Sequence, residues 1–579
     1  MILANHGATR AHIIVADDAS AATWRAAEEL SNYIFEMTGA NLTIHPASRG
    51  TIGNADAAEI CVGLTGRKGE PDISGLKNDG YIHKTVGNRL FILGENDRAV
   101  LHAVYAFLED ELGCRFFTDT VEHIPQRSYL TIGDIDKTVI SPFEYREVFG
   151  NVCYDDDEFA AKRGLNGQGY RLDEEHGNSI LYYGFVHTFD SLVPAKEYFD
   201  EHPEYFSMVN GERTRGVSDA THGFARTQLC LTNPDVLKIV IEKTRKNIEE
   251  HPECTIFSIS QNDCGNPCDC PECRKVDEEE GSRAGSLIRF VNAVANDIAE
   301  DYPNVIIDTL AYTSTRQSPK TKPAPNVAVR ICSIECCFSH PLSDVSCEQN
   351  ARFCRDILNW NEICNRIYIW DYVINFAHYI PTFPNLSVLR ENMRFFAEHG
   401  VRGMYPEGAH NAALSGEFAE LKAYLLAKLM WDPYMSAEEY SRITDEFLAA
   451  FYGDGWRCIR AYLDMTEANT KGHHMGVYDK PMTYLDREKL LAMEDTIDHF
   501  WDRAEEMAGD RIEAVRRSRI QWTYLKLELH PDAAAGEQFF ADCRDRGIRW
   551  NEWNMTANAP DFRKPPSRWA PIPWLPDED

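Results

Sequence analysis

The sequence predicts an α/β protein: a (β/α)8, TIM-type barrel, preceded by a small α/β sandwich domain and followed by an α-helical C-terminal region. Three observations predict it. Eight short apolar runs, separated by helical stretches, occur between about residues 140 and 415, the span one such barrel needs. The residues before them carry a complete strand–helix pattern of their own. After about residue 415 the runs stop and only helical periodicity remains. Domains are therefore expected at 1–137, 138–415 and 416–579, a reasonable division for 579 residues.

In the first domain, AHIIVADD reads as a strand and TWRAAEELSNYIFEMTG as a helix stopped by Gly39. AEICVGL is a second strand. DGYIHKTVGNRLFILGE reads as a hairpin turning at Gly87-Asn88, and RAVLHAVYAFLEDELG as a second amphipathic helix. This gives a sheet with helices on one side. The barrel strands are expected in EYREVFG, ILYYGFVHTF, TQLCLTN, CTIFSISQND, VIIDTLAY, VAVRICSIEC, RIYIWDY and VRGMYPEG, with helices such as PDVLKIVIEKTRKNIEEHP between them. Four long helices are expected after residue 415. The closing stretch PPSRWAPIPWLPDED is too Pro-rich for regular structure and is expected along the surface.

The formal net charge of −32 repels phosphate backbones and anionic lipid at long range, so neither nucleic acid nor a membrane is an expected partner. No signal-peptide pattern opens the sequence and no apolar run reaches membrane-span length, so a cytoplasmic location is expected. There is no phosphate loop, no dinucleotide fingerprint, no HExxH and no GxSxG.

Barrel chemistry collects where strands end. His187 follows the second run and Asn233 the third. Asn262 and Asp263 close the fourth, Tyr312 and Arg316 the fifth. Glu335 follows the sixth. Trp370, Asp371 and Tyr372 end the seventh, Tyr405 and Glu407 the eighth. Carboxylates, amides and aromatic rings at one mouth suit sugar: rings stack on pyranose faces, and a carboxyl can protonate a glycosidic oxygen. Asp263, Asn262 and Glu335 are the candidate catalytic residues. His187, Asn233, Tyr312, Arg316, Trp370, Asp371, Tyr372, Tyr405 and Glu407 are the candidate substrate contacts.

The segment SISQNDCGNPCDCPECRKVDEEEGSRAGSLIRFVNAVANDIAEDYPNVIIDTLAY resembles the core of the domain-of-unknown-function family 4838, members of which belong to glycoside hydrolase family 163. HPEYFSMVNGER, QLCLTNPDV and IWDY are similar to the same family, and GENDRAVLHAVYAFLEDELGCRFF resembles the domain preceding α-glucuronidase and hexosaminidase barrels. The resemblance implies a β-N-acetylglucosaminidase acting on N-glycan-type oligosaccharides. It would retain configuration through participation of the substrate's 2-acetamido group, Asn262 orienting the acetamide and Asp263 acting as acid. Hexosaminidases carry Asp-Glu where this chain has Asn-Asp, and Glu335 is the reserve acid. Two other readings stay open: an α-glucuronidase-like or other glycosidase using two carboxylates, and a non-catalytic glycan-binding protein on a degenerate barrel.

No cofactor is expected for catalysis. Cys264, Cys268, Cys270 and Cys273 follow Asp263 directly, spaced C-x3-C-x-C-x2-C. They are a candidate structural zinc site; free thiols and a disulfide are the alternatives.

Overall fold

The computed structural model describes residues 1–50, 57–154, 157–216, 227–409 and 417–548. They form two compact units. The first comprises Met1–Ser179, Val373–Arg394 and the described residues from Pro406 onward; the second comprises Ile180–Tyr372 and Phe395–Tyr405. These units are cut differently from the expected domains 1–137, 138–415 and 416–579, since the first unit contains the N-terminal domain, the C-terminal helices and part of the expected barrel.

The N-terminal part of the first unit is a six-stranded mixed sheet. Its order is Asp136–Val139, Tyr81–Val86, Arg89–Gly94, Glu59–Val62, His12–Val15, Thr43–Pro46. The hairpin forms as expected, with Gly87 in the left-handed region (φ 61°) that its turn demands. The helices Ala21–Thr38 and Asp97–Asp110 begin on Ser20 and Asn96, whose side chains accept from the amides of Thr23 and Ala99. Strand alternation sorts the core: Ile13, Val15, Ile60, Val62, Leu90 and Ile92 join the cluster built with these helices, whereas Ile14, Cys61, Phe91 and Leu93 face Ile73 and Leu76.

The long C-terminal helices among the described residues are Ala419–Trp431, Ala437–Tyr452, Trp456–Thr470, Arg487–Met507, Ile512–Leu529 and Ala533–Asp545, two more than the sequence reading expects, with the single turn Pro481–Tyr484 between them. Residues 565–579, expected along the surface, lie outside the described residues. Among the described residues no helix is long and apolar enough to cross a membrane.

The second unit is built on parallel strands in the order Tyr182–Tyr183, Ile256–Ser258, Ile306–Ala311, Val327–Cys332, Ile367–Tyr372, followed by the strand that starts at Val401 and runs to Glu407. Helices Pro234–Glu250, Ala284–Asp301 and Glu348–Ile363 precede the second, third and fifth of these, the β/α alternation of a TIM-like sheet. No α-helix separates Ile306–Ala311 from Val327–Cys332; only the short turn Thr313–Thr315 does. The first expected run contributes Tyr145–Arg146 in the first unit, where Phe149 forms a parallel bridge with Glu407.

Among the described residues seven of the eight expected runs thus hold a strand, which gives a TIM-like sheet one strand short of the expected (β/α)8. TQLCLTN is the exception. Leu229 makes only an isolated bridge to Phe206, and the segment is diverted because Cys230 turns to other cysteines and Asn233 caps a helix. ILYYGFVHTF, expected as a long strand, pairs only at Tyr182–Tyr183; Gly184 and His187 then take positive φ (61° and 57°), which no strand continues through.

The register puts Ser258 beside Asp308, Leu310 beside Arg330 and Cys332 beside Trp370. Those residues share one face, and Asp371 takes the other. The shared face is concave, because the Arg330 guanidinium reaches the Tyr182 ring, three strands away, at 4.8 Å.

Candidate active site

The segment leaving Ile256–Ser258 is fastened along its length. Thr188 Oγ1 donates to the Ser258 carbonyl at 2.9 Å and accepts from the Ser260 amide at 2.9 Å. The amides of Thr188 and Phe189 both donate to the Ser260 carbonyl at 3.1 Å. The strained His187 donates from Nδ1 to the Gln261 carbonyl at 2.7 Å, which leaves Nε2 as its other nitrogen. Gln261 Nε2 donates to Thr315 Oγ1 at 2.8 Å and to the Tyr312 carbonyl at 3.2 Å.

Asn262 is the most constrained residue of the segment. It is 2% exposed. Its Oδ1 accepts from the Asp190 amide at 3.0 Å and its Nδ2 donates to the Thr227 carbonyl at 2.7 Å. Its backbone exchanges two hydrogen bonds with the Gln228 side chain, at 3.0 and 2.8 Å. A buried amide so engaged serves the backbone. Asp263, one residue on, is half-buried, and its only hydrogen bond among the described residues is the one Oδ1 accepts from the Tyr312 hydroxyl at 3.2 Å. The His187 and Tyr312 rings stand 6.3 Å apart. His187, Asp263 and Tyr312 are thus brought together at the C-terminal ends of neighbouring strands.

The concave face beneath carries an aromatic cluster. Trp370 and Tyr405 meet edge-on at 4.7 Å, and Phe185 lies 4.9 Å from Tyr405 and 5.7 Å from Trp370. The Arg330 guanidinium packs 4.3 Å from the Phe185 ring and 5.7 Å from both Trp370 and Tyr405. Trp370 is half-buried, whereas Tyr405 and Tyr372 are buried, so of these expected contacts only Trp370 keeps an accessible ring. Below them Asp308, fully buried, comes within 3.4 Å of Arg330 without hydrogen-bond alignment. Burial outweighs the attraction of Arg330 and pushes the Asp308 carboxyl up to about 7.

Several expected site residues are engaged in contacts within the fold. Asn233, expected to touch substrate, caps the helix Pro234–Glu250, Oδ1 accepting from the amides of Asp235 and Val236 at 2.8 and 3.3 Å. Arg316 gives Nε to Asp356 at 2.7 Å and Nη1 to Glu335, and its carbonyl accepts from Trp360 Nε1 at 2.7 Å. Glu335, the reserve acid, is therefore half of an exposed ion pair. Asp371 takes the face opposite Trp370, where Ser333 Oγ donates to it at 2.6 Å and burial pushes its carboxyl up to about 6. Glu407 belongs to the first unit, with a buried side chain and a carbonyl that accepts from the Val373 amide at 2.9 Å.

The cysteine set is also different from the one expected. Cys268, Cys270 and Cys273 gather with Cys230, each buried, with all four Sγ atoms within 4.8 Å of one another. Cys264 is excluded: its carbonyl and Sγ face Gln228 Nε2, at 2.9 and 3.3 Å. Cys230 escapes sequence reading because its neighbours Leu229 and Leu231 give it the look of a strand residue. The available signal was the three-cysteine run C-x-C-x2-C lacking a fourth partner.

The profile of the family described as "Domain of unknown function (DUF4838)" matches residues 116–464, more than half of the chain, leaving most of the N-terminal sheet outside. No curated protein matches the sequence. A family GH115 4-O-methyl-α-glucuronidase with specificity for decorated arabinogalactans shares the fold, with a TM-score of 0.56 at 12% identity, covering 100% of this chain and 82% of its own. Two others lie below a TM-score of 0.5, too distant to inform fold or function. A GH138 enzyme targeting pectin rhamnogalacturonan II scores 0.44 at 10% identity, covering 92% of this chain and 90% of its own. The chitobiase of Flavobacterium johnsoniae scores 0.41 at 10% identity, covering 94% of each chain. By the extent of the profile match, the chain belongs to the DUF4838 family.

Proposed function

We propose that this protein is a glycoside hydrolase that cleaves β-N-acetylglucosaminide linkages in N-glycan-type oligosaccharides, with Asp263 as the proton donor. The observation that carries the reading is the contrast at the strand end. Asn262 is consumed by the fold, while Asp263 beside it is half-buried and, among the described residues, held at one oxygen alone, by Tyr312. A carboxyl so placed can hand its proton to a glycosidic oxygen as the C1–O bond breaks. In the retaining route the substrate's acetamide oxygen bonds C1 as that bond breaks. Water, giving a proton back to Asp263, then opens the cyclic intermediate. Asn262 has one N–H left for an acetamide, so orientation of that group falls to neighbours such as Tyr312 and His187. Trp370 offers a ring to a sugar face.

Aryl β-N-acetylglucosaminides and N-glycan fragments, tested beside aryl glucosides and glucuronides lacking the acetamido group, examine this reading. Expected is cleavage of the acetamido substrates alone, falling about 10²–10⁴-fold in Asp263→Asn while binding persists. Full activity in Asp263→Asn refutes the acid. Cleavage of the glucuronide alone refutes acetamido participation, and binding with no cleavage at all returns the chain to the glycan-binding reading.

A further inference from the structure

We infer that Cys230, Cys268, Cys270 and Cys273 together bind one structural zinc ion. Four convergent thiols are unusual in themselves, and their spacing is specific. The Cys230 sulfur lies 3.6 Å from that of Cys270 and 3.8 Å from that of Cys273. A disulfide requires about 2.05 Å, and Cys230, Cys268, Cys270 and Cys273 are all free thiols. Four sulfurs on a tetrahedron about 2.3 Å from a central zinc lie about 3.8 Å from one another. The two Cys230 separations are those of a zinc tetrahedron's edges, and all four sulfurs lie within 4.8 Å of one another.

The surroundings suit the charge such a centre carries. Four thiolates around Zn²⁺ leave a net charge of about −2, which needs donors aimed at sulfur. The Met208 amide points at Cys268 Sγ from 3.4 Å, and Arg213 Nη1 lies 3.6 Å from the same atom. Thr232 Oγ1 lies 3.1 Å from Cys273 Sγ. Cys270 is the residue that opens the helix Pro271–Glu280, with Pro271 in the first position, so Cys270 and Cys273 sit at the positive end of a helix dipole. Four neutral thiols in an apolar pocket would call for none of these donors.

The ion would tie two segments some forty residues apart, the turn holding Cys230 and the loop that runs from Asp263 into Pro271–Glu280, while the hairpin Met208–Val209/Glu212–Arg213 rests against the Cys268 sulfur. Four cysteine ligands leave no open position, so the role is structural and no reaction step passes through the metal.

Protein purified without chelator and analysed by elemental mass spectrometry tests this independently of any hydrolytic activity. Expected is one zinc per chain, reduced below about a tenth in Cys230→Ser and unchanged in Cys264→Ser and Cys254→Ser. If Cys230→Ser does not fold, native mass spectrometry of the wild-type chain serves: one zinc is expected, with the loss of hydrogens for deprotonated thiols and none for disulfides. Cobalt exchanged into the wild-type chain should show thiolate-to-metal charge transfer. A metal-free wild type that takes up neither ion overturns the inference. So do a different metal in the site, zinc that survives Cys230→Ser, and zinc lost equally in Cys264→Ser.

Discussion

Asp308 gives the sharpest quantitative expectation. It stands in mid-strand, fully buried, with neither oxygen hydrogen-bonded and Arg330 3.4 Å away but misaligned. Its carboxyl is pushed from 3.8 up to about 7 by burial, which Arg330 only partly opposes. The unfolded chain loses this proton near pH 4, whereas the folded chain keeps it until about pH 7. Between those values the native state binds more protons than the unfolded one, so stability is full below pH 4 and falls as pH rises towards 7. A shift of about three units at 1.36 kcal/mol each amounts to about 4 kcal/mol. Asp308→Asn removes the titration while keeping the shape. Whatever the variant costs at pH 4.5, where part of the difference has already accrued, its stability relative to wild type should improve by about 3 kcal/mol by pH 8, a few hundredfold in amide protection. Hydrogen exchange of peptides covering Ile306–Ala311, followed by mass spectrometry at several pH values, reads this strand directly. Two curves that stay parallel from pH 4.5 to 8 would show that Asp308 ionises normally, and the burial argument would fail.

Glu335→Gln is expected to leave kcat/KM within about twofold on whichever glycoside is cleaved, because an exposed ion pair with Arg316 contributes little; a hundredfold loss would restore Glu335 as an acid. Asn233→Ala is expected to cost about 1 kcal/mol of stability as a lost helix cap, with KM unchanged; a raised KM at unchanged melting temperature would return Asn233 to the substrate.

Much of the fold was legible because it is local. The N-terminal hairpin is written in Gly87-Asn88, and the first helix ends at Gly39, whose φ of 74° a residue with a Cβ rarely adopts. The runs RIYIWDY and VIIDTLAY carry enough β-branched and aromatic residues to become strands in any reading. TQLCLTN has the same look and fails, because its partners are distant: Cys230 is drawn by thiols some forty residues on, and Asn233 finds two amides of the helix that follows. Strand-end position identifies a residue that can reach the mouth. It does not reveal which face the residue takes, and so Trp370 and Asp371, adjacent in sequence, part to opposite sides of the sheet.

The Asn262–Asp263 pair illustrates the same division at the scale of one peptide bond. Sequence makes the two residues equivalent candidates, both polar at the end of an apolar strand. The hydrogen bonds separate them. Asn262 is an amide, able to accept and donate at once, and it is placed where an amide of Asp190 and a carbonyl of Thr227 both need a partner. A carboxylate at that position could satisfy Asp190 but would repel the Thr227 carbonyl. Asp263 is placed where, among the described residues, only the Tyr312 hydroxyl hydrogen-bonds its side chain. A group meant to exchange a proton needs an orientation that does not depend on its own ionisation, because it must hold position in both states. Here Thr188, Gln228 and Asn262 supply that orientation through bonds to the backbone, and none of them ionises. In the proposed reading, with Asp263 as the proton donor, Asn262 is the fixed point against which that acid is aimed.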